Sequence, residues 1–385
     1  MVVVRSFPIQ RESLMDAKYA IADTSNILSP ALLVYREILD RNLRKMIEIA
    51  KDMRRLRPHC KTHKMPAVTK IELAMGITKH KCATFAEAEM LADCGVKDIF
   101  LAYNLVGPNI RRAVTFLQKY PDVKFAVTAD DSPMIAALSD AMLAAGTTIH
   151  VLLDLDSGLH RTGVAAGPQA VELYQQIIDS PGLEPGGFHL YDGHNHQSNL
   201  DERKEAVRIT WEPAARLRDE FVRRGWPVPS IVCGGTGSFP IYAAMTDPVI
   251  ELAPGTCVFH DSGYGTSFPD MDFEPAVVLL TRVISRPAPD RVTCDLGNKS
   301  VASDPPKGQR VTFPDLPDAE QVLHNEEHLV LLTPLAERYQ PGDELLAIPK
   351  HVCPTSALHK QAYVIEGGRV VEMWDVTARD RCLTI

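Results

Sequence analysis

Long apolar runs are missing from this sequence. No window approaches the roughly 18 consecutive apolar residues of a membrane-spanning helix. The opening segment MVVVRSFPIQ has too short an apolar run for a secretory signal. We therefore expect a cytoplasmic protein that does not contact a membrane.

Basic patches and paired cysteines are missing as well. The net charge is −8 and no basic stripe runs along the chain, so nucleic acid is not an expected partner. The eight cysteines are scattered without a CxxC pair, which favours reduced thiols over disulfide bridges. With 45% hydrophobic and 23% charged residues, the composition is that of an ordinary globular protein rather than a disordered one.

Short apolar runs alternate with longer helical stretches over about the first 270 residues. Residues 40–54 carry Leu43, Met46, Ile47 and Ala50 at the spacing of one helical face. Eight runs resemble strands: 55–60, 80–85, 98–105, 124–129, 149–156, 187–192, 230–234 and 249–253. Strands that alternate with helices form parallel sheets through right-handed crossovers. Eight such units predict an α/β protein built on a closed (β/α)8 barrel of the TIM type.

The pattern changes after about residue 270. The later β-like runs are 275–284, 291–296, 328–333, 343–349 and 361–374, separated by turn-rich segments and without a long helix. They predict a second, mainly β domain on the C-terminal side. Residues 30–36 are expected to add a strand to it. The predicted division is 1–36 as an N-terminal segment joining the β-domain, 37–270 as the barrel and 271–385 as the β-domain.

Catalytic groups of such barrels lie at the C-terminal ends of the strands, so the residues after each run are informative. Lys61 follows the first run in RPHCKTHK, and a lysine there can form a Schiff base with a carbonyl cofactor. Arg161, in DLDSGLHRTG after the fifth run, can direct its donors at an oxyanion such as a cofactor phenolate. Taken alone, Lys61 fits a solvated basic loop better than a cofactor lysine, and Arg161 fits a surface residue before a helix better than a cofactor contact.

Two further strand ends carry polar or glycine-rich segments. YDGHNHQ follows the sixth run and places Tyr191, His194 and His196 together, a cluster suited to stacking on a ring and to moving protons. Histidines satisfied in the core or at the surface would give the same pattern. The turn after the seventh run leads into a helix and can bind a phosphate; it consists of Gly234, Gly235, Thr236 and Gly237.

A pair of metal-binding residue types lies in the predicted β-domain. His351 and Cys353 occur in HVCPT, and on an extended segment their side chains would share one face. Thiolate plus imidazole suits zinc, with cobalt, manganese or magnesium as alternatives, and water or substrate would complete the coordination. Two ligands alone are a weak signal for a metal.

Together these motifs resemble the D-threonine aldolase / eukaryotic-type D-serine dehydratase family, within the alanine racemase-like (fold type III) pyridoxal-phosphate enzymes. The resemblance runs in order from about residue 30 to 375, and RPHCKTHK and HVCPT are its most specific parts. It implies that Lys61 holds pyridoxal 5′-phosphate (PLP), that Arg161 contacts the cofactor's phenolic oxygen and that Tyr191 lies beside its ring. It further implies that Gly234 to Gly237 bind the phosphate and that His351 and Cys353 bind a divalent metal.

The resemblance also implies an activity. We expect a metal-activated lyase that cleaves the Cα–Cβ bond of β-hydroxy D-amino acids, giving glycine and an aldehyde, with His194 or His196 as a base. A D-serine or 3-hydroxy-D-aspartate dehydratase is the alternative, because the family's dehydratase branch often has cysteine where this chain has Cys353. An amino-acid racemase and a non-catalytic PLP-binding protein are further alternatives. A homodimer is expected by resemblance.

Overall fold

The computed structural model describes residues 17–385. The first strand, β1 (Ala31–Tyr35), leads directly into the amphipathic helix α1 (Arg36–Ala50), which buries Leu43 and Met46 as the periodicity predicts. Among the described residues, no helix is long and apolar enough to cross a membrane.

Seven parallel strands form the first sheet, in sequence order from edge to edge. They are β2 (Lys79–Cys82), β3 (Asp98–Asn104), β4 (Lys124–Ala129), β5 (Ile149–Asp154), β6 (Leu183–Leu190), β7 (Ile231–Cys233) and β8 (Ile250–Leu252). One helix, α2 (Pro66–Ala74), precedes them, and the helices between and after them are α3 (Phe85–Asp93), α4 (Pro108–Lys119), α5 (Ser132–Ala144), α6 (Pro168–Asp179), α7 (Leu200–Arg223), α8 (Phe239–Ala244) and α9 (Ser262–Ser267). Each predicted run from 80–85 to 249–253 overlaps one of these strands.

The first predicted run, 55–60, is an extended segment rather than a regular strand. Leu56 bridges Leu252 of β8, and His59 bridges Lys81 of β2, both in parallel. The segment therefore joins the two edges of the sheet and closes the barrel. Its ladder is incomplete because Pro58 has no N–H to donate, and a 3₁₀ turn, Cys60–Thr62, follows at once. The predicted (β/α)8 architecture is confirmed with this irregular eighth member.

Small and aromatic apolar side chains fill the part of the barrel toward the N-terminal ends of the strands. A separate cluster of buried residues consists of Phe100, Ala126, Leu152, Val232 and Ala253, which come from β3, β4, β5, β7 and the residue after β8. Inward-pointing layers of this kind make the barrel a packed core rather than a pore. Polar side chains lie above this layer, toward the C-terminal ends of the strands.

In the second sheet, β1 is hydrogen-bonded between two strands from the later part of the sequence. The sheet holds nine strands, eight of which follow the barrel in the sequence. These are β9 (Val277–Ala288), β10 (Arg291–Cys294), β11 (Val311–Thr312), β12 (Glu320–His324), β13 (Leu329–Leu332), β14 (Glu344–Pro349), β15 (Gln361–Glu366) and β16 (Arg369–Asp375). One short helix, α10 (Val352–Leu358), interrupts them. The mainly β second domain is confirmed; β11 and β12 escaped prediction because they are short and little buried. The boundaries at 36/37 and 270/271 stay predictions.

Candidate active site

A cavity of about 850 Å³ lies where the barrel strands end and α10 packs against them. It is the size of a small-molecule or cofactor site. Among the residues that line it are six that matter below: Lys61, Lys81, Arg161, Tyr191, His351 and Cys353. The structure thus brings five of the side chains predicted from sequence to one cavity, although they lie up to 292 positions apart in the chain (353 − 61).

Lys61 lies on the 3₁₀ turn that ends the barrel-closing segment. The Nδ1 atom of His59 accepts a hydrogen bond from the Lys61 backbone N–H at 3.3 Å, which fixes the turn. The Lys61 amine is half-buried and lies 5.9 Å from the centre of the Tyr191 ring. A flexible primary amine at a strand end, partly shielded from water, is the group that a Schiff-base cofactor requires.

Arg161 and Tyr191 form a second wall of the cavity. The Arg161 guanidinium lies 4.7 Å from the centre of the Tyr191 ring. Gly163 ends the loop that carries Arg161, with φ of +92°, and a Cβ there would lie 2.7 Å from the backbone N of Asp156. Gly193 is constrained by space alone, because a Cβ there would lie 2.1 Å from the Tyr191 hydroxyl. Both glycines are therefore required for the loops to hold Arg161 and Tyr191 in place.

The predicted phosphate turn lies behind Tyr191 and does not line the cavity itself. A Cβ on Gly235 would lie 3.2 Å from the Tyr191 ring, and one on Gly237 would overlap the ring of Phe268. The Thr236 hydroxyl oxygen accepts hydrogen bonds from the backbone N–H groups of Gly255 and Cys257, at 3.2 and 3.3 Å. The turn is thus built tightly beside the tyrosine.

The two histidines predicted as bases are not brought to the cavity. His196 is exposed and stacks on Phe268, with ring centres 6.0 Å apart. His194 is half-buried beside Gly158 of the Arg161 loop, and its Nδ1 has no hydrogen-bond partner among the described residues. The histidine that lines the cavity next to Lys61 is His59, which the sequence patterns did not single out.

His351 and Cys353 meet at the cavity wall, but not on the extended segment predicted from sequence. His351 is the N-cap of α10, and Cys353 lies in its first turn. The Cys353 sulfur lies 3.2 Å from the hydroxyl of Thr62, the neighbour of Lys61. Burial by itself would raise the pKa of Cys353, but the His351 hydrogen bond and the charge of Lys61 lower it. A cavity-facing sulfur that tends toward thiolate, paired with an imidazole, suits a divalent metal.

A carboxylate holds the imidazole of this pair from the opposite side. The Nδ1 atom of His351 lies 2.5 Å from an oxygen of Asp304. Burial opposes the charged imidazole, yet the contacts with Cys353 and Asp304 raise the pKa of His351 to about 9. Metal-binding histidines commonly donate their second N–H to a carboxylate in this way. Asp304 lies 47 residues before His351 in a turn-rich segment, so no sequence pattern connected them.

A second group of ligand types lies close to Lys61 but fits a metal less well. Ligand atoms of His59, Cys60 and Glu87 lie within 4.8 Å of one another. The Glu87 carboxylate already accepts hydrogen bonds from the Lys64 amine and the Ala83 backbone. Burial and the nearby Glu87 raise the pKa of the Cys60 thiol well above its usual value. An ion-paired carboxylate beside a neutral thiol is a structural arrangement rather than a ligand set.

Three buried polar residues inside the barrel were also missed. The amine of Lys81 lies 2.8 Å from Nε2 of His189, and Nδ1 of His189 lies 2.7 Å from Asp154. All three are at most 5% exposed and line the cavity. A weak signal existed for His189, which shares the face of Tyr191 two positions later. Lys81 gave none, because the whole of β2 is polar up to Cys82.

The residues around the cavity fit PLP. Lys61 and Arg161 supply positive charge, whereas the carboxylates of Asp154 and Glu87 are engaged by His189 and Lys64. A net positive cavity with a primary amine and an aromatic wall suits an anionic aldehyde cofactor.

Comparisons with known proteins agree with this site. The model of the alanine racemase N-terminal domain matches residues 34–262, and that of a putative serine dehydratase domain matches residues 276–365. The chain is 33% identical to a D-threonine aldolase from Arthrobacter over 84% of this chain and 85% of that protein. It is 28% identical to a 3-hydroxy-D-aspartate aldolase from Paracoccus denitrificans over 93% and 94% of the two chains.

Solved structures show the same likeness. The crystal structure of a D-threonine aldolase from Filomicrobium marinum is 30% identical, with a TM-score of 0.84 over 91% of this chain and 96% of that one. D-threo-3-hydroxyaspartate dehydratase from Delftia shares the fold at 22% identity and a TM-score of 0.80, over 91% and 97% of the chains. This chain therefore belongs to the alanine racemase-like family of PLP enzymes that contains these aldolases and dehydratases, and it is a lyase.

Proposed function

We propose that this lyase cleaves the Cα–Cβ bond of β-hydroxy D-amino acids, in the manner of a D-threonine aldolase, releasing glycine and an aldehyde. One observation carries the proposal: Lys61 and the His351–Cys353 pair face the same cavity, joined by the contact between Thr62 and Cys353. A site that holds the substrate nitrogen at one point and its β-hydroxyl at another can direct which bond breaks.

We assign the cofactor contacts as the resemblance suggested. Lys61 would hold PLP, Arg161 its phenolic oxygen, Tyr191 its ring, and the turn of Gly234, Gly235, Thr236 and Gly237 its phosphate. When bound, PLP supplies an electron sink for bonds to the substrate Cα. The protein's own part is to orient the substrate and to move protons.

We assign the metal to His351 and Cys353, with zinc as the first choice and manganese, cobalt or magnesium as alternatives. A divalent ion there would act as a Lewis acid on the β-hydroxyl. Asp304 orients His351 for this task. The base that takes the hydroxyl proton stays a prediction for His194 or His196; His59 joins them as a candidate because it lines the cavity.

A dehydratase is the second proposal, and Cys353 is the observation that favours it. The family's dehydratase branch often has cysteine at this position, and a D-threo-3-hydroxyaspartate dehydratase is among the relatives at 24% identity. In that reaction the metal would carry off the hydroxyl group, and a keto acid and ammonia would follow. The same side chains serve either outcome.

The proposal extends to the subunit arrangement and the cellular compartment. Tyr103 and Val106 line the mouth of the cavity and are 54% and 59% exposed, so a second subunit covering them would complete the site. This supports a homodimer. The compartment proposed from the sequence is the cytoplasm.

The test uses D-threonine as substrate for the PLP-loaded protein, with and without a metal chelator. Metal-dependent glycine and acetaldehyde are the expected products. Metal-dependent 2-oxobutyrate and ammonia would replace the aldolase by the dehydratase. Conversion to L-allothreonine, the product of inversion at Cα alone, unaffected by the chelator, would refute both and indicate a racemase.

A further inference from the structure

Inside the barrel, the side chains of Lys81, His189 and Asp154 form a chain of hydrogen bonds, although apolar residues would pack there at a lower cost in free energy. Lys81, His189 and Asp154 lie directly above the layer of Phe100 and its neighbours, and the Lys81 amine is 5.9 Å from the centre of the Phe100 ring. Burying an amine, an imidazole and a carboxylate costs desolvation free energy that apolar residues of similar volume avoid. Such a chain facing a cavity therefore points to a functional role.

The hydrogen bonds of the chain define its protonation. Burial by itself would raise the pKa of Asp154, but the contact with His189 lowers it, so the carboxylate is ionised. Burial and the charge of Lys81 lower the pKa of His189 to about 4, so its ring is neutral near pH 7. The ring then donates from Nδ1 to Asp154 and accepts at Nε2 from the Lys81 amine.

The chain orients Lys81 without fixing its charge. An amine that donates one proton to Nε2 can hold either a lone pair or a further N–H toward the cavity, so both charge states keep the same hydrogen bond. Burial and the charge of Lys61 lower the pKa of Lys81 to about 7. The ionisable groups that face Lys81 are His59, Lys61, Asp154, Arg161, His189, Tyr191 and Cys233.

We propose that Lys81 is a second catalytic amine that exchanges a proton with the substrate Cα. The inference rests on the proposed function, because the substrate nitrogen must react where the Lys61 amine lies. The amines of Lys61 and Lys81 lie 5.9 and 5.6 Å from the centre of the same Tyr191 ring. Thr62, the neighbour of Lys61, contacts Cys353, whereas Lys81 is hydrogen-bonded to His189 inside the barrel; Lys61 therefore lies toward the metal pair and Lys81 toward the barrel interior.

The proton transfer is balanced in both directions. Neutral Lys81 takes the proton as the Cα–H bond breaks, and the electron pair of that bond stays on the substrate. In reverse, the ammonium form returns the proton to Cα, which is the step that completes glycine after Cα–Cβ cleavage. Lys81 would therefore serve the aldolase as an acid and the dehydratase as a base.

Exchange of glycine protons with solvent tests this role. Glycine in D2O with PLP-loaded protein is followed by proton NMR, which detects replacement of a Cα proton by deuterium. We expect Lys81→Met to slow exchange by about 100-fold or more, while the cofactor absorbance change on adding glycine persists. Lys79→Met is the control, because Lys79 begins the same strand but does not line the cavity. Exchange at the wild-type rate in Lys81→Met would overturn the proposal.

A labelling experiment gives a readout that needs neither cofactor nor turnover. Acetic anhydride reacts only with neutral amines, so the pH dependence of Lys81 labelling in the cofactor-free wild-type protein reports its protonation. We expect a midpoint near pH 7; a midpoint near that of exposed lysines would contradict a catalytic role. If labelling gives the low midpoint but the wild-type protein acts on neither D-threonine nor glycine, the proposed function fails. If D-threonine is cleaved and Lys81→Met exchanges normally, only the role of Lys81 fails.

Discussion

Removing the Asp304 carboxylate should weaken the metal site without disturbing the fold. Asp304 contacts Nδ1 of His351 at 2.5 Å and is itself 53% exposed. The carboxylate orients the ring and makes it a better ligand, and loss of such a partner lowers metal affinity by about 10- to 100-fold. For Asp304→Ala this corresponds to about 1.4–2.8 kcal/mol of binding free energy.

The assay is competition for Zn²⁺ between metal-stripped protein and a chromophoric chelator. Asp318→Ala serves as the control, since Asp318 is an exposed carboxylate in the same domain. The free energy of unfolding of the protein should change by less than about 0.5 kcal/mol on this substitution. His351→Ala should remove specific binding. Unchanged affinity in Asp304→Ala would refute the orienting role, and unchanged affinity in His351→Ala would refute the metal site itself.

Three further predictions follow from the same geometry. Lys61→Ala should eliminate the borohydride-stable cofactor label that peptide mapping finds in the wild-type protein; a label on another lysine would contradict the assignment. Gly163→Ala should lower PLP affinity by about tenfold or more, because a Cβ at this positive φ would contact the Asp156 backbone and displace the Arg161 loop. Fluorescence titration with PLP measures the affinity, and a wild-type value would show that the loop tolerates a Cβ. The folded-state pKa of Lys81, about 7, lies below its ordinary value of 10.5, so the unfolded state binds more protons between these values and stability rises with pH there. Relative to Lys81→Met, the free energy of unfolding should rise by up to about 1.4 kcal/mol per pH unit in that window; parallel pH profiles in urea titrations would refute a neutral buried amine.

The barrel could be predicted because most of its strands are apolar runs and helical stretches lie between most of them; β2, Lys79–Cys82, is the polar exception. The same periodicity placed Lys61, Arg161 and Tyr191 at strand ends, which in a barrel meet at one cavity. The closing segment was predicted as a strand although Pro58 prevents a full ladder. Whether a segment forms a regular hydrogen-bond ladder depends on the strands on both sides of it, which the sequence of the segment alone does not show.

The contacts that tune the site could not be predicted, because they join residues far apart in sequence. Asp304 reaches His351 across 47 positions, and Lys81 reaches His189 across 108. His194 and His196 were singled out for their residue type, but side-chain direction in the loop decides access to the cavity. HVCPT was interpreted as extended, yet Pro354 at the third helical position of α10 and the hydroxyl of Thr355, bonded to the His351 carbonyl, favour a helical turn.

Metal reconstitution of aldol cleavage tests the central claim most directly. The protein is loaded with PLP, stripped of metal and titrated with Zn²⁺ or Mn²⁺ while glycine formation from D-threonine is measured, in parallel with His351→Ala. We predict that the rate in the wild-type protein rises until the metal is stoichiometric and that the variant stays near background at that concentration. Full activity in the stripped protein, or equal recovery by the variant, would contradict a metal-activated cleavage at His351 and Cys353.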